Sequence, residues 1–141
     1  MVINGTDILV FIEDTVVAHA TSHTLSMKMA TRATSNKDTG KFNTKGTGRL
    51  DVTASCDALI VYVDLAVMAA AYLDRAVVKI DFGERTGATL TNGEYTGGTL
   101  DITKWYATGN FIITGLDINA GDEANASYTA SFENADATFA F

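Results

Sequence analysis

His19 and His23 stand four residues apart, a spacing that on a helix would turn two imidazoles toward one metal ion. The glutamate of an HExxH pattern is missing, and no third ligand is clustered with them. Threonines on either side favour strand or turn, so the pair reads as two polar residues at a strand start. The run GKFNTKGT from Gly40 has the composition of a phosphate loop, but Walker A requires lysine after its second glycine and Thr47 follows Gly46 here. In DINAGDEANASY the oxygens of Asp117, Asn119, Asp122 and Glu123 have the look of a calcium loop. Tyr128 occupies the twelfth position, where such a loop needs glutamate, and the segment reads as a hairpin tip. Glu13 and Asp14 are adjacent and make a solvated turn rather than an acid/base pair. No G-x-S-x-G elbow accompanies the serines and histidines. We therefore expect no catalytic residue, no metal and no cofactor, and not an enzyme.

What remains is charge. Residues 25–49 hold Lys28, Arg32, Lys37, Lys41, Lys45 and Arg49 against Asp38 alone. Residues 1–24 hold three acids and no Lys or Arg, and residues 50–141 hold thirteen acids against four bases. The whole chain carries a formal −7. Such a balance argues against a free nucleic-acid binder, which needs a basic footprint, though not against a surface that DNA passes without sticking. A basic element on an acidic body suits head-to-tail association with another copy.

The elements that must position this charge alternate with period two. In 23–29, Leu25, Met27 and Met29 face one way and Thr24, Ser26 and Lys28 the other. In 50–56, Leu50, Val52, Ala54 and Cys56 alternate with Asp51, Thr53 and Ser55. A polar projecting loop over about 34–46 joins these two strands. DILVFIED and TVVAHAT predict two short strands joined at Glu13–Asp14. The segment from Asp64 to Arg75 predicts a helix with Asp64 as its N-cap and Arg75 at its negative end. It is apolar nearly all round, so more than one side should be covered, by a loop or by a neighbouring subunit.

Further strands are expected around Val78–Phe82, in YTGGTLDITKWYA, in NFIITGLDI and in ASYTASFENA, with GERTGATLTNG as a turn-rich connector. Apolar parity changes across Gly115, which predicts a bulge there. The apolar end, Phe139 and Phe141, should be docked. At 141 residues with 47% apolar and 19% charged side chains, one domain spanning 1–141 is expected. Cys56, on an apolar strand face, is expected as a buried hydrophobe. There is no proline, so open sheet edges are little protected against pairing with other chains. No secretory leader and no membrane-length apolar run is seen, which predicts synthesis in a reducing cytoplasm and no membrane insertion.

Taken in order, LSMKMATRATSNKDTGKFNTKGTGRLDVTAS, the helix LAVMAAAYLDRA leading to VVKIDF, YTGGTLDIT, and the ending GDEANASYTASFENADATF cover nearly the whole chain. This order resembles the major tail protein (tail tube protein) family of long-tailed bacteriophages, particularly the TP901-1-like group. Departures are an extra Asn36 in the TSNKD turn and Asn134-Ala135-Asp136 in place of a final G-x-G. The resemblance implies a β-sandwich or half-barrel of antiparallel strands with one flanking helix. It implies hexameric rings stacked into a tube around a tape-measure protein, with DNA later passing through the lumen without specific binding. The place implied is the virion tail, assembled in the bacterial host cytoplasm. Lys37, Asp38, Lys41, Lys45 and Arg49 would then be the contact residues, meeting acids of the next ring. Tail-terminator and injection-system tube proteins share these features. A different class, a monomeric β-sandwich binding a ligand or carbohydrate, would use Trp105 and Tyr106.

Overall fold

A computed structural model describes residues 2–17, 19–136 and 138–141. Its strands are β1 (Ile8–Ile12), β2 (Thr15–Val16), β3 (Ala20–Ala33), β4 (Lys45–Leu59), β5 (Val77–Thr86), β6 (Thr89–Thr91), β7 (Glu94–Thr96), β8 (Thr99–Leu100), β9 (Tyr106–Asn119) and β10 (Ser127–Asn134). One α-helix, α1 (Tyr62–Leu73), and a short 3-10 turn, Gly5–Asp7, complete the described residues. The main sheet is antiparallel, in the order β2-β1-β5-β9-β10-β4-β3, with β8 added beside β5. It curls until His23 of β3 reaches the Ile8 carbonyl of β1 and donates to it through Nε2. No ladder joins these two strands among the described residues, so the result is a half-barrel and not a closed one.

The concave face is the core. Val10 and Ile12 of β1 lie beside Val78, Ile80 and Phe82 of β5, then Ala107, Phe111 and Ile113 of β9. Across β10 and β4 aromatic residues face alanines, Tyr128 opposite Ala58 and Phe132 opposite Ala54, with the small pair Ala130–Cys56 between them. An aromatic ring needs a small neighbour if the pleat is to fill at interior density, so these rungs are complementary in volume. Met68 of α1 lies over this face and is buried. Cys56 is fully buried; burial, with Asp57 beside it, pushes its thiol up to about 12. It is the inert hydrophobe its strand position predicts.

The bulge expected near Gly115 is present: Ser131 pairs with Gly115 but Phe132 pairs with Ile113, leaving Thr114 extra. The C-terminus is docked. Ala140 bridges Thr108, and Phe139 meets Phe111 edge-on at a centroid distance of 6.3 Å.

Several expectations are corrected. The helix is Tyr62–Leu73, not 64–75, and its N-cap is the extended Val61, which offers no side-chain cap. Asp64 lies within the first turn, where it still complements the dipole. Arg75 is beyond the helix in the left-handed region, φ 55°. There it closes the end, the Arg75 amide donating to Tyr72 and the Ala76 amide to Ala71. Within its own chain the helix is covered on one side. Among the described residues no loop covers the other, where Tyr62, Val63, Val67 and Leu73 are exposed, which leaves a neighbouring subunit as the expected cover.

YTGGTLDITKWYA is not one strand. Gly97 and Gly98, both at positive φ, and a turn in which the Asp101 carboxylate accepts from the Thr103 amide divide it. The supposed connector GERTGATLTNG is largely strand, because β5 runs on to Thr86 and an Asn92-Gly93 turn with both φ positive makes a β6–β7 hairpin.

Candidate assembly surfaces

The long hairpin β3–β4 has two halves. Its base, Val52 to Leu59, is held between β3 and β10. The last rung of β10 on β4 is Glu133 opposite Thr53, and the Asn134 side chain then accepts from the Val52 amide at 3.1 Å. Beyond that point β3 and β4 have only each other. This free half is a two-stranded arm, a form that is marginal in water by itself.

The arm keeps the core's apolar face after the core has ended. Met27 pairs with Val52 and Met29 with Leu50, so all four point the same way. Val52 is buried, whereas Met27, Met29 and Leu50 are about half exposed or more. The opposite face of the sheet is a shallow trough of Thr24, Ser26, Thr53, Ser55, Thr114 and Ser131.

At the tip the loop is built by its own small polar residues. The Thr34 amide donates to the Thr44 carbonyl, Ser35 binds Thr44, and the Asn36 side chain accepts from the Asp38 amide at 2.8 Å. Gly48 allows the strands to close at an irregularity between Met29 and Thr31, since a Cβ there would sit 2.5 Å from the Ala30 carbonyl oxygen. The expected contact residues are divided by these boundaries: Lys37, Asp38 and Lys41 lie in the loop, while Lys45 and Arg49 lie on β4. The loop is therefore 34–44, shorter than expected. All five side chains are exposed, and among the described residues none of them is in an ion pair.

Two features at the base went unread in the sequence. The first is a recess of about 260 Å³ between the β1–β2 turn and α1, walled by Ile12, Val16, Val17, Val63, Val67 and Met68, with Glu13 and Asp64 at its rim. The signal that could have found it was the helix whose apolar residues exceed one face. The second is a charged knot behind the β1–β2 turn. Lys79 Nζ lies 2.9 Å from Asp14 and 3.5 Å from Asp81, and the Glu13 carboxylate accepts from the Lys79 amide. Asp81 is 1% exposed, and neither of its oxygens has a hydrogen bond among the described residues. The Asp14 hydrogen bond raises the Lys79 ammonium above its ordinary value, with Asp81 adding to it and desolvation opposing.

The other candidates disperse. His19 sits at a turn with φ 53°, while the ring of His23 packs beside Phe82, and no metal-binding group of three exists among the described residues. Asp117 and Asn119 lie at the end of β9 and Asp122 and Glu123 in the turn beyond it. Trp105, just before β9, rests against Phe141 at 5.9 Å, and Tyr106 is the first residue of β9, paired with Gly83. No helix among the described residues is long and apolar enough to cross a membrane.

No protein-family model and no curated protein matches this sequence. Solved structures do. A chain from the tail of an empty gene transfer agent particle with C6 symmetry superposes with a TM-score of 0.72 at 17% identity, covering 99% of this chain and 98% of that one. A chain from the virion of a native gene transfer agent particle gives 0.72 at 18%, covering 99% and 100%. A chain of the SPP1 tail tube gives 0.66 at 13%, covering 94% and 75%. The fold is that of these three chains. At these identities the likeness speaks for the architecture, and function must be argued from the surfaces themselves.

Proposed function

We propose that this chain is a tail tube subunit, a structural virion protein that assembles into hexameric rings stacked as a tube for genome delivery. The observation that carries the reading is the arm: an apolar strand face continued beyond its own core, ending in an unpaired basic loop. A soluble monomer would gain nothing from such an arm, since exposed apolar face and open strand edges invite pairing. A neighbouring copy completes both. The fold shared with tail chains, one of them from a particle of C6 symmetry, supports the same reading.

In this role the partners are further copies of the chain, a tape-measure protein in the lumen, and DNA passing without specific binding. The acidic balance of the body keeps phosphates from adhering. Synthesis and assembly would take place in the bacterial host cytoplasm, and the final location is the virion tail. The motif order favours a tube of the TP901-1-like kind, and the whole chain acts as a single domain. Lys37, Asp38, Lys41, Lys45 and Arg49 then serve the contact between successive rings. Each exposed pair is worth only about 0–1 kcal/mol, so repetition round a ring gives the effect its size.

Charge reversal tests this directly. Lys41→Glu with Lys45→Glu should leave a folded protein, by circular dichroism, that makes few or short tubes in negative-stain electron micrographs. Tubes of normal length and yield would count against the role of the loop. A wild-type protein that stays a single compact particle at every concentration and ionic strength would end the reading altogether.

A further inference from the structure

One residue of the basic loop is not polar. Phe42 is 83% exposed, flanked by Lys41 and Asn43, at the far end of the arm. At the other end lies the apolar recess. The two are held apart by the hairpin itself: β4 leaves the tip at Lys45, and at its base the Leu59 amide donates to His19 before the chain enters α1 at Tyr62. Val16 and Val17 precede that base on one side and Val63 follows it on the other. A strand of this length spans about 45 Å at ~3.3 Å per residue.

We infer that Phe42 of one copy plugs the recess between the β1–β2 turn and α1 of the next copy along the tube, with the tip lysines against Glu13, Asp14 and Asp64. This inference rests on the tail tube reading and adds to it the occupant and the socket.

Three features fit the two parts together. The first is size: a dry apolar cavity of about 150 Å³ accepts a benzene ring, so the ~260 Å³ recess admits a phenyl group with its methylene. The second is charge. Lys37, Lys41 and Lys45 surround the knob with Asp38 as the one acid among them, whereas the socket carries the Glu13 and Asp64 carboxylates at its rim and Asp14 behind, partly offset by Lys79. The third is polarity. Knob and socket occupy opposite ends of one molecule, so the contact is head-to-tail, and such a contact propagates along an axis instead of closing a pair.

The test is a disulfide between the two parts. Phe42→Cys and Val63→Cys are combined in one chain; both sites are exposed, and native Cys56 is buried and unreactive. Oxidation after assembly should give a ladder of covalent multimers on a non-reducing gel, absent from either single variant. Normal tubes without a ladder would overturn the socket while leaving the tube intact, as would a bond that closes within one chain or a Phe42→Cys single variant that links to itself. If the unmodified chain makes no tubes, the tail tube reading fails and this contact fails with it. Phe42→Ala should raise the concentration needed for assembly at least about tenfold, and Phe42→Leu should restore much of it. Equal assembly by all three would equally overturn the plug.

Discussion

Strand β4 is two different strands in succession. From Val52 to Ala58 its inward residues are buried, and one step outward on the same face Leu50 is 66% exposed. Composition separates the halves in part, since Lys45, Gly46, Gly48 and Arg49 all lie in the outer one, but Leu50 is as apolar as the Val52 that follows it on the same face. The difference is the third strand. Where β10 runs alongside, an apolar residue is core; where β10 stops at Asn134, the same kind of residue is surface. A hydrophobic alternation therefore reports which way a side chain points and says nothing about whether its own chain supplies the cover.

The covered half of β4 should be the more sensitive to truncation. Phe132 sits 1% exposed opposite Ala54, and Phe132→Ala should cost about 3–5 kcal/mol by leaving a cavity beside a residue too small to fill it. Urea unfolding of unassembled protein measures it. A cost below about 1 kcal/mol would mean that the base of the hairpin is as loosely held as its arm.

Next is the knot behind the β1–β2 turn. Lys79→Met leaves the Asp81 carboxylate buried without its cation, and we expect about 2 kcal/mol of destabilisation. Lys79 is 44% exposed, so water screens part of the loss. The sign with pH follows from the raised ammonium. Its contribution is complete below the ordinary lysine range and fades only as strongly alkaline pH passes through the folded value. Unfolding curves of wild type and variant should therefore lie apart at neutral pH and converge at strongly alkaline pH. Asp81→Asn in the Lys79→Met background should recover stability if the stranded charge is the cause.

How much of this was legible follows the same division. Period two located both strands of the hairpin, their inward faces, the inertness of Cys56 and the kink at Thr114–Gly115. These depend on neighbours in sequence or on parity alone. The start of α1 was misplaced because Asp64 is a good cap in isolation, while the exit from β4 fixes Val61 as the actual one. The recess and the Lys79 knot were invisible, since Ile12, Val63 and Lys79 are distant in sequence and meet only when the sheet curls. Phe42 was in plain view inside the loop, but a lone aromatic among lysines has no meaning until its distance from Val63 along the hairpin is known.

A smaller effect concerns Arg75, which holds a left-handed conformation at the end of α1. A side chain there meets a steric penalty that glycine escapes, and Arg75→Gly should stabilise the free protein by about 1 kcal/mol. A loss on the same scale would show that the arginine side chain, and not the backbone, matters at this corner.

The smallest change in stability should come from the arm, and it is the most instructive. Met29→Thr with Leu50→Thr keeps residues suited to a strand while removing the apolar stripe at the Met29–Leu50 rung. In unassembled protein these side chains have no third strand to lose, so unfolding should shift by no more than about 0.5 kcal/mol. Assembly is another matter, because the area they bury would be contributed by another copy. Tube yield by sedimentation should fall steeply while the urea midpoint stays put. If both quantities fall together, the stripe supports its own chain and the two halves of β4 are alike after all. If neither falls, the half-exposed methionines and leucine are incidental, and the basic tip alone must hold the copies together.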